Sequence, residues 1–149
     1  NKLDYYLDTE IEYAADDCHS DTRASTVTVK LTNTAVADEL PDYVAGTEGL
    51  SPDLGIAVPK GTNITSVRLI ATQGSELSTA LLNGERVPAI MSSERGHPVF
   101  EVQAIIPPGQ SADVRFQLSE PSVPGEPRVP VQPLVKNVIP EVLVPECSG

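Results

Sequence analysis

The sequence predicts an all-β fold, and three observations support this prediction. Several stretches alternate apolar and polar residues with a period of two, which is typical of strands with one buried face. Fourteen prolines and ten glycines supply turns and strand ends along the 149-residue chain. No stretch carries the sustained 3.6-residue apolar period of an amphipathic helix. A chain of this length is expected to form one domain, residues 1–149, around one core.

The first two strands are predicted at 7–13 and 24–33. In the stretch LDTEIEY, apolar residues and Thr9 alternate with acidic residues. In the stretch ASTVTVKLTN, Val27, Val29 and Leu31 are expected to face the core and the residues between them to face solvent. Both stretches therefore predict half-buried strands.

The segment 34–61 breaks this alternation and contains seven prolines and glycines. We expect a long crossover between the two sheets, with Leu40, Tyr43 and Val44 packed onto the core. The alternative is a binding loop, because long loops in compact domains are often functional.

Three further apolar stretches predict the rest of the sandwich. The stretch at 63–74 alternates with Val67, Leu69 and Ala71 on one face. Asn83-Gly84 between two apolar runs predicts a type I′ hairpin, since that turn needs positive φ at both central residues. The stretch at 97–120 predicts a second hairpin, turning at the sequence PPGQ (107–110). Together the elements predict an immunoglobulin-like antiparallel β-sandwich of about seven to nine strands with a proline-rich C-terminal edge.

The proline-rich end allows two interpretations. Prolines at every third position from 121 to 133 match the turn of a polyproline II helix, which partner proteins can bind. The apolar residues between and after them are too numerous for a solvated spacer. Proline is confined to strand ends and sheet edges, so we favour an edge crossing followed by a final strand near 137–144.

Charge and hydropathy exclude several classes of partner. The net charge of −11 disfavours nucleic acids and anionic membrane surfaces as partners, because proteins bind both mainly through Lys and Arg. No window approaches the ~18 apolar residues that span a bilayer, so this segment is not expected to cross a membrane. The chain begins without Met or a signal-peptide pattern. We expect a piece of a longer precursor whose anchor or export signal lies upstream.

Two cysteines, Cys18 and Cys147, lie near the two ends of the chain. They are compatible with free thiols, a partial metal site or a disulfide. A zinc site needs four closely spaced ligands, and only His19 and His97 could complete one. The disulfide is therefore the favoured prediction, and it indicates an oxidising, extracytoplasmic compartment.

Residues that could support catalysis are few, so we predict that the chain is not an enzyme. His19 and His97 have no accompanying nucleophile or metal-binding motif and are expected at the surface or in turns. Asp16, Asp17 and Asp21 lack the residue order of a calcium loop and are expected in a solvated turn, with a weak cation site as the alternative. No metal or other cofactor is predicted.

Carbohydrate binding is the alternative function. Sugar rings usually stack on exposed aromatic side chains, and the chain has no Trp. Tyr5, Tyr6 and Tyr43 are left as the only platform that could form a sugar-binding surface. Asn63-Ile64-Thr65 also matches the three-residue N-glycosylation signal, which has a high rate of chance matches.

Several phrases in order along the chain carry a family resemblance: NKLDYYL, STVTVKLTNTA, LPDYV, KGTN, ERGHPVF, PPGQ and PGEPRVPVQPLV before a final cysteine. They resemble the C-terminal region of an uncharacterised family of actinobacterial cell-envelope proteins, domain of unknown function 4012. The resemblance implies an exported protein with a membrane-anchoring helix and a larger helical part upstream. It supplies no catalytic residues, and the family's cysteines correspond to Cys18 and Cys147.

These observations together predict a non-catalytic extracytoplasmic accessory or interaction domain of a cell-envelope protein. Its partner is expected to be a protein or a cell-wall component.

Overall fold

The computed structural model describes residues 6–18, 20–36, 60–122, 140–145 and 147. Two β-sheets face each other around one core, and the described residues form nine strands and no α-helix. This confirms the predicted all-β sandwich. The strands are β1 (Leu7–Ala15), β2 (Thr22–Asn33), β3 (Asn63–Ile70), β4 (Glu76–Leu82), β5 (Glu85–Arg86), β6 (Ile90–Glu94), β7 (His97–Ile106), β8 (Ser111–Pro121) and β9 (Glu141–Leu143).

The larger sheet has six strands in the order β5-β4-β8-β2-β1-β9. Strand β2 lies near its centre and pairs antiparallel with β1 on one side and with β8 on the other. Strand β9 pairs in parallel with β1 and forms one edge of the sheet. It falls within the predicted final strand at 137–144, but its parallel pairing departs from a wholly antiparallel sandwich. The chain therefore returns to the sheet after the proline-rich segment.

The smaller sheet has three strands in the order β3-β7-β6. Strands β6 and β7 form a hairpin whose turn residues, Arg95 and Gly96, have φ of 52° and 82°. Positive φ at both central residues is the requirement of a type I′ turn. The sequence did not indicate this hairpin, because arginine is not among the residues that favour a positive φ.

The Asn83-Gly84 hairpin is confirmed. Strands β4 and β5 pair antiparallel on either side of it, and φ is 53° at Asn83 and 83° at Gly84. The Asn83 side chain also accepts a hydrogen bond from the Asp113 N–H at 2.9 Å, which joins the turn to β8.

We expect Gly84→Ala to lower the free energy of unfolding by about 1 kcal/mol, because a Cβ disfavours the positive φ. A Cβ at this position would meet nothing within 4 Å, so the cost is conformational and not steric. Urea unfolding measures it, with Glu85→Ala, at an exposed position of β5, as the control. Equal stability of the two variants would contradict the assigned turn.

The prediction of a second hairpin at 97–120 is wrong. Strands β7 and β8 are consecutive in the chain but lie in different sheets, β7 between β3 and β6 and β8 between β4 and β2. The PPGQ connection crosses from one sheet to the other. Apolar alternation and a tight turn are shared by hairpins and by such crossings, so the sequence pattern could not distinguish them.

A buried asparagine fixes this crossing. Asn33, which is 1% exposed, donates from its side-chain amide to the carbonyl oxygens of Gly61 and Ile106, both at 2.8 Å. Its backbone accepts from the Gly109 N–H at 2.8 Å and donates to the Gln110 carbonyl at 2.9 Å. These bonds join the end of β2 to both ends of the crossing and to the chain that precedes β3.

The core consists of the inward-facing side chains of both sheets. Phe116, Val114 and Ile106 are all fully buried. Val27, Val29 and Leu31, the predicted inward residues of β2, are buried, and Val67 of β3 is half-buried and packs against the same cluster. The period-of-two pattern therefore identified the core positions of β2, whereas Thr9 and Ile11 of β1 are only half-buried.

Two predicted features lie mostly outside the described residues. The segment 34–61 is described only at 34–36 and 60–61, and the proline-rich run only at 121–122 and from residue 140. In the part of the chain that is described, no helix is long and apolar enough to cross a membrane.

Candidate functional site

The outer face of the six-stranded sheet forms an open concavity of about 540 Å³. The concavity spans four neighbouring strands, from β9 at the edge through β1 and β2 to β8. It is lined by Thr9, Glu10, Ile11, Glu12, Thr28, Lys30, Asp113, Arg115 and Glu141. We call this surface the outer concavity.

The strand register arranges the charges of the outer concavity in rows across the sheet. In one row Lys30 lies between Glu10 and Asp113 on its two neighbouring strands. Neighbouring strands are about 4.8 Å apart, so each row places its charges close together. This row has one positive charge flanked by two negative charges.

The second row runs from the edge strand inward. Glu141 of β9 pairs with Glu12 of β1, and Glu12 pairs through Thr28 of β2 with Arg115 of β8. Two carboxylates therefore lie at the β9 edge of the outer concavity, with a guanidinium on its far side.

These charges do not neutralise one another through close contacts. Across the described ranges, no ion pair within 4 Å joins any two of the six charged side chains that line the outer concavity. All six residues are exposed, so groups of both signs are accessible to a ligand. A surface of this kind can form charge-assisted hydrogen bonds with a partner that carries complementary groups.

The predicted tyrosine surface is only partly described. Tyr6 lies immediately before β1 and is partly buried, and its carbonyl oxygen accepts from the N–H and the Oγ1 of Thr34 at 2.8 and 2.7 Å. Tyr5 and Tyr43 lie outside the described residues. The surface formed by the three tyrosines therefore stays a prediction. Of the described residues that line the outer concavity, none is aromatic.

A second polar cluster is buried at the end of the core near the cysteines. The Arg23 Nε lies 3.2 Å from Glu120 Oε1, and the exposed fractions of both side chains are only 6%. Tyr13 donates its hydroxyl to Glu120 Oε1 at 2.5 Å, and Ser25 donates to Oε2 at 3.0 Å. The carboxylate of Glu120 thus has three donors, which is how a buried charge is stabilised. We call these four residues the buried cluster.

The predicted disulfide between Cys18 and Cys147 is present, with Cα atoms 5.6 Å apart. It lies against the buried cluster. Arg23 Nη1 donates to the Pro145 carbonyl at 2.8 Å and lies 3.1 Å from Cys18 Sγ and 3.4 Å from the Asp16 carbonyl oxygen. One guanidinium therefore joins β2, β8, the disulfide and the C-terminal segment.

Sequence reasoning missed the buried cluster, although a signal existed. Arg23 and Ser25 share the inward face of β2 with Val27, and Glu120 shares the inward face of β8 with Leu118. A charged residue at an inward position predicts a buried partner of opposite charge. The two strands pair with Arg23 opposite Glu120, which supplies that partner.

The environment of Tyr13 disfavours its ionised form. Burial of the phenol, together with its hydrogen bond to Glu120 and the negative charge of that carboxylate, raises the pKa of Tyr13 well above its ordinary value of about 10. The phenol therefore stays protonated and donates a hydrogen bond to Glu120 throughout the neutral pH range.

We expect Tyr13→Phe to cost about 1.5–3 kcal/mol at neutral pH, the usual range for a hydrogen bond to a charged group. Because the pKa of Tyr13 is raised in the folded state, the protonated phenol contributes its full stabilisation below about pH 10, and this contribution is lost as the pH rises toward the folded pKa. Above about pH 10, urea unfolding should therefore show a smaller additional decrease in the free energy of unfolding for Tyr13→Phe than for the wild type. Glu85→Ala, at an exposed position of β5, is the control and should keep the wild-type alkaline loss of stability. An identical loss in Tyr13→Phe would contradict the assignment.

The remaining candidate residues do not form a site in the described structure. His97 begins β7 at an exposed position, with Nδ1 3.0 Å from the Ala71 carbonyl oxygen, and His19 lies outside the described residues. Asp16, Asp17 and Asp21 are exposed between β1 and β2. Among the residues described, no three His, Cys, Asp or Glu side chains come together as metal ligands would.

The asparagine of the glycosylation signal is fully buried at the start of β3, with 0% exposure of Asn63. A glycan could not be accommodated there without displacing the core, so the match to the signal is a coincidence of sequence.

Comparisons with known proteins do not assign a family. No protein-family model matches the chain, and no curated protein matches it. Among solved structures, a mutant M1 zinc metallopeptidase from Deinococcus radiodurans shows 16% identity and a TM-score of 0.41 over 78% of this chain and 21% of the enzyme. The M1 zinc metallopeptidase from Deinococcus radiodurans shows 17% identity and a TM-score of 0.40 over 87% and 24%. The chain thus spans about a quarter of those enzymes or less, and likeness at this level does not bear on its function.

Proposed function

We propose that this chain is a non-catalytic extracytoplasmic domain that binds a protein partner, as an accessory part of a cell-envelope protein. The observation that carries the proposal is the outer concavity, where exposed charges of both signs lie on one face of the sheet and form no ion pair with one another within the described ranges. Interaction surfaces built on sheets need no rearrangement before binding, which lowers the entropic cost of association.

The buried polar groups support a structural role for the domain. Catalysis requires polar side chains that can reach a substrate, whereas Arg23, Glu120, Tyr13 and Ser25 hydrogen bond to one another and to the chain. Their arrangement fastens the C-terminal segment to the sandwich.

The disulfide and the family resemblance support the extracytoplasmic location. Disulfides persist in oxidising compartments and are rare where thiols are kept reduced. The Cys18–Cys147 bond joins the connection between β1 and β2 to the C-terminal segment. The resemblance to an envelope family implies export through a segment upstream.

The lining of the outer concavity favours a polypeptide over a polysaccharide. Sugar rings bind most strongly where aromatic side chains stack against them, and the lining residues that the structure describes are charged, aliphatic or hydroxylated. A polypeptide with basic and acidic side chains could pair with both rows of charges. Carbohydrate binding through Tyr5, Tyr6 and Tyr43 stays as the alternative.

Site-specific photocrosslinking in the native envelope tests the proposal. A photoreactive residue replaces Thr28, at the centre of the outer concavity, in the full-length protein. We expect a crosslinked polypeptide there and none from the control position, exposed Gln103 on β7 of the opposite sheet. Crosslinks at both positions or at neither would overturn the choice of surface.

A glycan array with the purified domain tests the alternative. Specific glycan binding that disappears when Tyr5, Tyr6 and Tyr43 are changed to Ala would favour the carbohydrate function. Binding that survives in the triple variant would remove the tyrosine platform.

A further inference from the structure

We propose that Cys18 is the thiol through which the disulfide forms: in the reduced folded chain it attacks an external disulfide donor, and Cys147 then resolves the mixed disulfide. Cys18 is thereby a site of transient S-thiolation. The donor belongs to the class of low-molecular-weight or protein disulfides. This inference is independent of the proposed binding function.

The two sulfurs differ in access. Cys18 follows β1 and is partly exposed, whereas Cys147 is 7% exposed. A donor disulfide must approach the attacking sulfur along the axis of the bond that breaks, and the more exposed Cys18 is easier to reach than Cys147. Access alone therefore favours Cys18 as the first thiol to react.

The nearest charged group favours the same sulfur. Arg23 Nη1 lies 3.1 Å from Cys18 Sγ. A guanidinium beside a thiol favours the thiolate, which is the reactive nucleophile. The acidic residues nearby act in the opposite direction but are more solvated, because Asp16 and Asp17 are exposed and Glu120 is already paired with Arg23. Arg23 is a positioning residue in this scheme, because it acts through the charge on Cys18.

The contacts that position Arg23 and the segment before Cys18 are separate from the disulfide. Arg23 is held by Glu120, its direct neighbour on β8, through the pairing of two long strands. Cys18 lies two residues after Asp16, whose N–H donates to the Ala24 carbonyl at 3.0 Å at the end of the β1–β2 pairing. We infer that these contacts keep Arg23 beside Cys18 in the reduced chain.

The electrons and sulfur atoms balance in two exchange steps. The Cys18 thiolate attacks one sulfur of the donor disulfide, forms a mixed disulfide and expels a donor thiolate. Cys147 loses its proton to solvent and attacks Cys18 Sγ, forming the intramolecular bond and expelling the second donor thiolate. Two protein thiols are oxidised by two electrons, and one donor disulfide is reduced to two thiols.

The test maps the first adduct in the full chain. The protein is reduced, freed of reductant, exposed briefly to oxidised glutathione and quenched in acid, and the adduct is located by peptide mass spectrometry. We expect glutathione on Cys18 to exceed glutathione on Cys147 by about tenfold or more, given the joint effect of access and thiolate formation. In concentrated urea this selectivity should disappear.

Variants separate the role of Arg23 from a general effect on folding. Cys147→Ser should accumulate the Cys18 adduct, because the resolving thiol is absent, and Arg23→Lys should keep more of the Cys18 selectivity than Arg23→Gln does. Equal amounts of adduct on the two cysteines of the reduced wild type would overturn the proposal. That result would mean either that Arg23 does not affect Cys18 or that the two residues lose contact in the reduced chain. A dominant adduct on Cys147 would overturn it as well.

Discussion

Changing both Cys18 and Cys147 to Ala is expected to lower the free energy of unfolding by about 5 kcal/mol. The bond joins residues 129 positions apart, and a cross-link over so long a loop removes a large part of the conformational entropy of the unfolded chain. The loss is large beside the 5–15 kcal/mol that stabilises a typical domain. We expect the variant to be only marginally stable.

Urea unfolding with and without reductant measures this effect. The wild type should lose stability on reduction, and the double variant should be insensitive to reductant, which controls for other actions of the reagent. The slope of the free energy against urea concentration should also rise in the variant, because its unfolded state is less constrained. A loss below about 1 kcal/mol would contradict the entropic account.

Glu120→Ala is expected to cost about 3–5 kcal/mol, the range measured when one partner of a buried ion pair is removed. The change leaves the Arg23 guanidinium charged, buried and without its carboxylate. It also removes the acceptor of the Tyr13 and Ser25 hydroxyls. Each of these groups then carries an uncompensated desolvation penalty.

The chain offers a matched control in its exposed ion pair. Glu101 lies 3.5 Å from Arg68, and the two side chains are 26% and 44% exposed. Glu101→Ala should cost no more than about 1 kcal/mol, because solvent screens the pair. Similar losses in Glu120→Ala and Glu101→Ala would contradict the buried character of the cluster.

A double variant tests whether the penalty comes from the unpaired charge. Replacing both residues by apolar ones, Arg23→Met with Glu120→Leu, should recover part of the stability lost in Glu120→Ala, as in other proteins whose buried ion pairs were replaced together. Recovery should be incomplete, because the Pro145 carbonyl also loses its donor. Additive losses would indicate that the pair interacts weakly.

The two predictions concern the same region for a physical reason. The disulfide holds the C-terminal segment covalently, and Arg23 holds it by hydrogen bonding to Pro145. Strand β9 pairs with β1 over only three residues, which is too short to hold a terminal segment by backbone hydrogen bonds alone. The attachment of β9 to the larger sheet therefore depends on the disulfide and on the hydrogen bond from Arg23 to Pro145.

The sequence by itself determined the class of fold, most of the strands and the inward side of each. Alternation along β2 identified Val27, Val29 and Leu31 as core residues, and Asn83-Gly84 identified its hairpin. These are local properties, because a strand with one buried face needs a period of two and a type I′ turn needs particular residues. The disulfide between Cys18 and Cys147 was favoured over free thiols or a partial metal site, and the structure confirms it.

Only the tertiary structure decided which strands pair and which charges meet. The connection between β7 and β8 looked like a hairpin and instead crosses between sheets, because local pattern does not encode the partner of a strand. The buried cluster depends on Arg23 lying opposite Glu120, 97 residues away in the chain. The outer concavity depends in the same way on four strands that the sequence separates, so its rows of charge exist only after the sheet has formed.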